Sequence, residues 1–103
     1  MIARTWRGKV PLHHAAAFRE HLRRTGVRDY RQQPGCLDVQ LWRRDVDGWA
    51  HFVLTSIWDS MASIRRYAGD VPERAVLYPG DEAFELVPDT TVEHFDVLTG
   101  DIR

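Results

Sequence analysis

Two stretches of the chain carry apolar residues at helical spacing. The first begins at Pro11, a residue that suits the first turn of a helix. Its apolar side chains recur every three or four residues, which predicts a helix over residues 11–25 that ends at Gly26. The positions on this face are Leu12, Ala15, Phe18 and Leu22, with Val27 as a further one.

The second stretch follows an apolar run that stops at Trp58. Asp59 is a good N-cap, and Gly69 stands where a helix would end. Between them, Met61, Ile64 and Ala68 fall on one helical face, so a second helix is predicted over residues 59–68. Trp58 and Tyr67, nine residues apart, then lie near one strand-to-helix junction, where a pocket is expected.

Four other stretches are typical of strands: residues 2–9, 37–44, 49–58 and 90–98. Gly8 and Pro11 are expected to end the first of them. Residues 45–48 favour a tight antiparallel turn, because Asp and Gly tolerate positive φ angles. Three remaining segments are predicted as a connection (30–35), a helical turn (71–78), and a loop or short helix (82–88).

The order strand, helix, strand, strand, helix, strand predicts an α+β fold, the ferredoxin-like βαββαβ arrangement with a four-stranded antiparallel sheet. A chain of 103 residues is expected to form one domain, residues 1–103. Its strands do not alternate cleanly between apolar and polar positions, as they would if one face met water. The second face is therefore expected to pack on the sheet of another copy, which predicts a homodimer.

Charge and composition exclude several classes of protein. The formal net charge is −1 and the sequence pI is near 6.5, so no overall basic field favours nucleic acid or an anionic membrane. The single cysteine, Cys36, cannot form an intramolecular disulfide, and no signal peptide or membrane-spanning run is visible, so a cytoplasmic location is expected. RNA-recognition domains share this order of elements, but residues 47–52 lack their basic and aromatic pattern.

Short motifs along most of the chain resemble the antibiotic biosynthesis monooxygenase family, a family of small dimeric α/β-barrel proteins. No single motif is specific, but their order and spacing together are. They are Ile2-Ala3-Arg4-Thr5-Trp6-Arg7-Gly8, Tyr30 with Pro34-Gly35, Ile57-Trp58-Asp59-Ser60, Ile64, Tyr67-Ala68-Gly69, Glu73-Arg74-Ala75-Val76, Tyr78-Pro79 and Val92-Glu93-His94-Phe95.

The resemblance implies one of two chemistries. Some relatives oxidise polyketide anthrones with dioxygen and no cofactor, and others bind and degrade haem. The haem degraders need a Trp, an Asn and a His at positions that fall here on Tyr67, about Thr5 and about Leu77, so none of the three is kept. Tyr78 lies one position from the axial site, and a phenolate can ligate haem iron. A non-catalytic, dimeric ligand-binding or accessory protein is the other alternative.

Cofactor-free oxygenation of an aromatic or polyketide-like molecule requires a base and a group that stabilises the resulting anion. The expected catalytic residues are His94, Tyr67 and Arg7, with His51 as another possible base. The expected substrate-binding residues are Trp58, Tyr78, Thr5 and Arg4.

Each of these residues also has a structural interpretation. Trp58 is a plausible core residue, and His94 a structural histidine. His51 is expected at the surface or the dimer contact. Arg4 is expected between the two sheets, paired with a carboxylate, and Arg7 on the helix-covered side.

No metal and no cofactor are expected. His13 and His14 are adjacent on the predicted helix and should point in different directions, and His21 lies about 10 Å further along the helix axis.

Overall fold

A computed structural model describes residues 1–100 of the chain. Its elements, in order, are β1 (Ile2–Pro11), a 3-10 turn (Leu12–His14), α1 (Ala15–Arg24), α2 (Gly26–Gln32), β2 (Cys36–Val46), β3 (Trp49–Trp58), α3 (Met61–Ala68), a second 3-10 turn (Asp81–Phe84), β4 (Val87–Pro88) and β5 (Glu93–Asp96). No helix within residues 1–100 has the length and apolarity needed to span a bilayer.

One antiparallel sheet organises the fold. The strands lie in the order β2-β3-β1-β4, and β5 also pairs with β1. The free edge of β1 is therefore shared by two short strands, β5 beside Ile2–Thr5 and β4 beside Gly8 and Lys9. The ferredoxin-like arrangement is confirmed, but the continuous last strand predicted over residues 90–98 is wrong: only Glu93–Asp96 forms it.

The β2–β3 hairpin is long, with one irregularity between Cys36 and Asp38, and its turn residues have the conformation that a tight turn requires. Asp47 and Gly48 both have positive φ angles, 51° and 82°. Two successive positive φ angles match the right-handed twist of paired strands. The predicted turn is thus confirmed, and the pairing continues from Val46 opposite Trp49 to Cys36 opposite Trp58.

Gly8 has a packing role instead of ending the first strand. A Cβ atom on Gly8 would lie within 2.5 Å of the Trp6 ring, which folds over this position. The strand continues to Pro11, where Pro11 still pairs with Trp49. Gly8 therefore gives the Trp6 side chain room inside the sheet, and the prediction that the strand ends at Gly8 is wrong.

The first helical region is longer than predicted. It breaks at Thr25, where φ is −111° and ψ is −94°, and a second helix, α2, begins at Gly26. A Cβ on Gly26 would lie 3.2 Å from Leu54, so glycine allows this helix to approach the sheet closely. Tyr30, predicted in a connection, lies on α2 and is buried.

The N-cap of α3 is one residue later than predicted, and the helix begins at Met61 instead of Asp59. Ser60 is the N-cap, and its Oγ accepts a hydrogen bond from the backbone N–H of Ser63 at 3.2 Å. The Asp59 carboxylate instead accepts hydrogen bonds from the Ser60 and Ser63 hydroxyls. These bonds, with that from Ser63 the stronger, lower the pKa of Asp59.

Residues 71–78 form no helix, in contrast to the prediction. They contain one hydrogen-bonded turn, from the Arg74 N–H to the Val71 carbonyl at 3.1 Å, and an isolated bridge between Arg74 and Thr91, before the 3-10 turn Asp81–Phe84 begins. Residues 71–80 cross the helix-covered side of the sheet as an irregular segment, and we call them the strap below.

The two faces of the sheet differ sharply. Every second residue of β3 from Ala50 to Trp58 is buried, while the residues between them are half-exposed. The buried set faces the helices, so we call this the inner face and the other the outer face. The hydrophobic core lies entirely on the inner side, with Phe18, Leu22 and Ile64 contributed by helices.

Candidate functional site

A cluster of aromatic and basic side chains lies between the inner face, α2, α3 and the strap. We call it the inner site. Arg4 comes from β1 and Trp58 from the end of β3, while the other members come from the helices, the strap and β5. The six residues of the inner site are Arg4, Tyr30, Trp58, Tyr67, Tyr78 and His94.

Arg4 is the centre of this cluster. Its side chain is completely buried (0% exposed), and its guanidinium donates hydrogen bonds to the Tyr30 hydroxyl at 3.3 Å and to the Pro72 carbonyl at 2.5 Å. It also donates to the Arg74 carbonyl at 3.4 Å. Within residues 1–100, no carboxylate forms an ion pair with Arg4. The prediction that Arg4 pairs with a carboxylate between two sheets is therefore wrong.

A buried guanidinium without a counter-charge is unusual, because burial of an unpaired charge is costly. The neutral oxygens around Arg4 satisfy part of its hydrogen-bonding capacity, but they do not neutralise its charge. The Tyr67 ring, whose centroid lies 5.9 Å from the guanidinium carbon, adds a weak cation–π contact. The Arg4 guanidinium is thus a buried cation without an ion-pair partner among residues 1–100, and it favours an anion, while the carboxylates of Asp29 and Glu73 act on Tyr78 and His94 at the edge of the site.

Two tyrosine hydroxyls close one side of the site. Tyr67 Oη and Tyr78 Oη lie 2.6 Å apart, in hydrogen-bonding contact. Burial raises the pKa of both phenols well above the ordinary value, and for Tyr67 the neighbouring Tyr30 contributes further. Both hydroxyls are therefore protonated at neutral pH and act as hydrogen-bond donors, not as bases.

Aromatic rings form the walls of the inner site. The Tyr30 and Tyr67 rings meet edge to face, with centroids 4.8 Å apart, and the Trp58 and Tyr67 centroids are 6.0 Å apart. Trp58 is fully buried, and its indole N–H donates to Ser56 Oγ at 2.8 Å. Trp58 is therefore a core residue and at the same time forms a wall of the inner site.

His94 faces Arg4 across the β1–β5 pair. The Arg4 guanidinium lies 3.0 Å from His94 Nε2, so this nitrogen accepts the hydrogen bond and the proton of the neutral ring is on Nδ1. Burial, followed by the nearby Arg4 charge, lowers the pKa of His94. His94 is therefore neutral at pH 7, but the lone pair that would act as a base is engaged by Arg4.

The cavity at the edge of this cluster is small. Its volume is about 20 Å³, and its lining includes Trp6, Tyr30, Leu77 and Tyr78. That volume holds about one water molecule. In this conformation the strap closes the inner site, and a larger ligand requires the strap to move.

The structure does not bring two of the expected site residues to this cluster. Thr5 and Arg7 alternate with Arg4 along β1, so their side chains lie on the outer face, and Arg7 is exposed. The expectation that Arg7 reaches the helix-covered side is wrong, because the two-residue period of a strand gives that side to Arg4.

The outer face carries a second, open cavity of about 670 Å³. Arg7, Trp42, Arg44 and His51 are among its lining residues, so it is rich in cationic groups. His51 lies opposite Lys9 on this face and is half-exposed. The outer cavity is a broad concavity on the face of the sheet that no helix of residues 1–100 covers.

Sequence reasoning missed several groups of the inner site. Tyr30 was assigned to a connection, although Val27 and Tyr30 continue the helical spacing beyond Gly26. The carbonyls of Pro72 and Arg74 carry no signal in the sequence, because any residue supplies a backbone oxygen. Their place at the guanidinium follows only from the path of the strap.

The histidines near the start of α1 also differ from the prediction. His13 and His14 lie side by side, with ring centroids 4.1 Å apart, and both ring Nε2 atoms lie near one carboxylate oxygen of Glu85. The expectation that they point in different directions is wrong, since residues 12–14 form a 3-10 turn and not an α-helix. His21 lies apart from them and contacts Asp81 at 2.6 Å.

Residues 1–70 match the family model described as antibiotic biosynthesis monooxygenase. The matched range includes β1, α1, α2, the β2–β3 hairpin and α3, but it stops before the strap and β5. Tyr78 and His94 therefore lie outside it. No curated protein matches the sequence.

Solved structures share the fold over nearly the whole chain. A candidate antibiotic biosynthesis monooxygenase from Deinococcus radiodurans aligns with a TM-score of 0.69 at 18% identity, over 98% of this chain and 96% of that one. Another antibiotic biosynthesis monooxygenase gives 0.58 at 22% identity, over 96% and 100%. Rv0793 from Mycobacterium tuberculosis gives 0.57 at 14% identity, over 97% and 98%. These similarities establish the ferredoxin-like fold.

Proposed function

Because this chain belongs to the antibiotic biosynthesis monooxygenase family, we propose that it oxidises an aromatic or polyketide-like small molecule with dioxygen and without a cofactor. The observation that carries the proposal is the buried Arg4 guanidinium, which has no counter-ion among residues 1–100 and is surrounded by aromatic rings. Such a site favours a flat substrate that becomes an anion during the reaction.

The proposed reaction converts an activated CH₂ group of the substrate to a carbonyl. A base removes one proton, and the resulting enolate transfers an electron to dioxygen. Recombination of the two radicals forms a C–O bond, and loss of water from the hydroperoxide gives the ketone. One O₂ is consumed for each water released, and both atoms of O₂ are accounted for in these two products.

Arg4 and His94 divide this chemistry between them. When the neutral substrate binds, its carbonyl oxygen accepts hydrogen bonds from the Arg4 guanidinium and so replaces His94 Nε2 as the partner of Arg4. This exchange frees the His94 lone pair, and the negative charge that develops beside Arg4 raises the pKa of His94 from its lowered value. His94 then removes the proton from the bound substrate, and Arg4 stabilises the enolate that forms.

The tyrosine pair assists as a donor. The raised pKa values keep the Tyr67 and Tyr78 hydroxyls protonated. Either hydroxyl can donate a hydrogen bond to a substrate oxygen once the strap opens. Trp58 and Tyr30 hold the aromatic rings of the substrate by stacking and edge contacts.

We also propose that the protein is a homodimer in which two outer faces pack together. Several apolar or small side chains at the centre of this face are only half-buried in one chain, and Trp42 is 52% exposed. A sheet with two partly apolar faces buries the second one most simply against an identical sheet. The half-buried set comprises Ala3, Thr5, Val53, Thr55 and Ile57.

The experiment compares two arginines of one strand. Oxygen uptake is measured with a panel of anthrones and hydroxyquinones, without added metal or cofactor, for the wild type, Arg4→Met and Arg7→Met. Loss of one preorganised donor at an oxyanion typically lowers kcat by about 10²–10³-fold, and this loss is expected for Arg4→Met. Arg7→Met, on the outer face, should retain the wild-type rate if its oligomeric state is unchanged.

Two other outcomes contradict the proposal. If Arg7→Met loses activity while Arg4→Met keeps it, the reaction occurs in the outer cavity. If every substrate quenches tryptophan fluorescence saturably but no oxygen is consumed, the protein binds a ligand without turnover. Arg4→Lys, which keeps the charge, serves as a second variant should Arg4→Met fail to fold, and near-UV circular dichroism identifies such a failure.

A further inference from the structure

A compact group of three metal-binding side chains lies outside the inner site. His13 and His14 come from the 3-10 turn Leu12–His14, directly after β1, and Glu85 follows the second 3-10 turn, Asp81–Phe84. The two segments are about seventy residues apart in sequence. Their ligand atoms nevertheless all lie within 4.8 Å of one another.

The distances between these atoms fit a single small cation. Glu85 Oε2 lies 3.4 Å from His13 Nε2 and 3.0 Å from His14 Nε2. Ligands that surround Zn²⁺ tetrahedrally at about 2.0–2.1 Å lie about 3.3 Å from one another. The third distance, between the ligand atoms of His13 and His14, is at most 4.8 Å, and the exposed His13 side chain is free to shorten it.

Packing holds the His14 ring in place, and the backbone at Glu85 has a defined conformation. The His14 ring packs edge-on against Phe84, with centroids 6.1 Å apart, and its side chain is 26% exposed. Glu85 has a positive φ of 54°, a conformation rare for residues other than glycine. This conformation ends the 3-10 turn at the point where the Glu85 carboxylate meets both histidines.

The chemistry of the ligands indicates the class of ion. Imidazole nitrogens favour Zn²⁺, Cu²⁺ and Ni²⁺ over Ca²⁺ and Mg²⁺, which prefer oxygen ligands. The His13 and Glu85 side chains are 70% and 64% exposed, so water can fill the remaining coordination positions.

We propose that His13, His14 and Glu85 bind one divalent transition-metal ion of the Zn²⁺ type at the surface. The ion connects the end of β1 to the segment that directly follows the strap. It therefore restrains the strap, which closes the inner site, independently of what the inner site binds. A hydrogen-bonded His–Glu cluster without metal affinity is the alternative explanation of the same contacts.

The test is a titration of the metal-free protein with ZnCl₂ by isothermal titration calorimetry. One ion per chain is expected to bind, and wild-type Tm should rise with Zn²⁺. Loss of an outer-shell partner alone typically lowers metal affinity about 10–100-fold. Loss of a ligand in His14→Ala or Glu85→Gln should lower it at least as much and abolish the Tm shift.

Two other single substitutions serve as matched controls. Glu82→Gln changes a carboxylate on the same 3-10 turn, and His51→Ala changes a histidine on the outer face. Both should bind Zn²⁺ as the wild type does. Electron paramagnetic resonance of bound Cu²⁺ should show coupling to two imidazole nitrogens in the wild type and to one in His14→Ala. Unsaturable binding to the wild type, or equal affinity in Glu85→Gln and wild type, overturns the proposal.

Discussion

The two faces of the sheet carry arginines three residues apart on β1, and these arginines have opposite surroundings. Arg4 is fully buried among aromatic rings and carbonyl oxygens, while Arg7 is exposed beside an open cavity. The same side chain is a hydrated surface cation on one face and an unbalanced buried charge on the other. Arg4 is therefore the better anion-binding group because it is buried, since both residues are arginines.

The tryptophans provide the largest expected difference between the faces. Trp58 is fully buried on the inner face, whereas Trp42 is 52% exposed on the outer face. Trp58→Ala should lower the free energy of unfolding by about 3–5 kcal/mol, because it removes core contacts and leaves a cavity. Urea denaturation monitored by circular dichroism measures this loss.

Trp42→Ala is the matched substitution. It should change the free energy of unfolding of a single chain by no more than about 0.5 kcal/mol, as is typical of surface substitutions. Measurement at low protein concentration separates this effect from any loss of dimer. Equal destabilisation by the two substitutions would contradict the assignment of the inner face as the only core within residues 1–100.

The second difference concerns assembly. Ile57 lies on the outer face opposite Ala3 and Asp38, and Ile57→Asp would place a carboxylate without a cationic cross-strand partner in the proposed contact between two sheets. Burial of an uncompensated charge in the contact costs about 3–5 kcal/mol of association free energy, so the dimer should dissociate at micromolar concentration. Sedimentation equilibrium measures the mass of wild type and variant.

The control for assembly is Ala62→Asp, which adds the same charge at an exposed position of α3. It should leave the mass unchanged. A wild-type protein that is monomeric at micromolar concentration would remove the basis for the proposed dimer. A dimer that survives Ile57→Asp would place the contact elsewhere.

The smallest expected effect is the pH dependence of stability through His94. Its pKa is lowered in the folded protein by burial and by Arg4. The unfolded chain therefore binds a proton more readily than the folded chain does. The contribution of His94 is fully present above the unfolded pKa of about 6.5 and is lost as the pH falls through the lower folded value.

Urea unfolding of wild type and His94→Gln between pH 7.5 and 5 tests this contribution. The wild type should lose more stability than the variant over this range, because glutamine does not titrate. His51→Gln, on the outer face, should follow the wild type. Parallel curves for the wild type and His94→Gln would show that the inner face does not depress the His94 pKa.

Much of the fold was predictable from local patterns. The hairpin followed from Asp47 and Gly48, whose positive φ angles match the turn that joins two antiparallel strands. Helix α3 followed from its apolar spacing and from Gly69, although Ser60 rather than Asp59 is the cap. These features depend on residues close together in sequence, so their physical causes can be seen there.

The errors arose where distant parts of the chain meet. Helix α1 does end just before Gly26, as predicted, but a second helix that was not predicted begins at Gly26, whose missing side chain allows a close approach to Leu54. Gly8 resembles a strand end, but it makes room for the Trp6 ring. Both glycines make room for a nearby side chain, and the position of that side chain is known only from the tertiary structure.

The candidate site could be predicted only in part. Trp58, Tyr67 and Tyr78 were expected to line a pocket, and they do meet, together with Arg4 and His94. Thr5 and Arg7 were expected there too, but the sheet separates them from the others. Successive side chains of a strand point to opposite faces, so a prediction that mistakes the two faces assigns Arg7 to the helix-covered side in place of Arg4.

The sequence by itself determined which residues share a face, since strand and helix periods follow from covalent geometry. Only the tertiary structure decided which face the helices and the strap cover, and hence which arginine loses its water. That choice depends on packing between segments up to ninety residues apart, such as Arg4 and His94. The same long-range packing brought Glu85 to His13 and His14, a contact that no local pattern indicates.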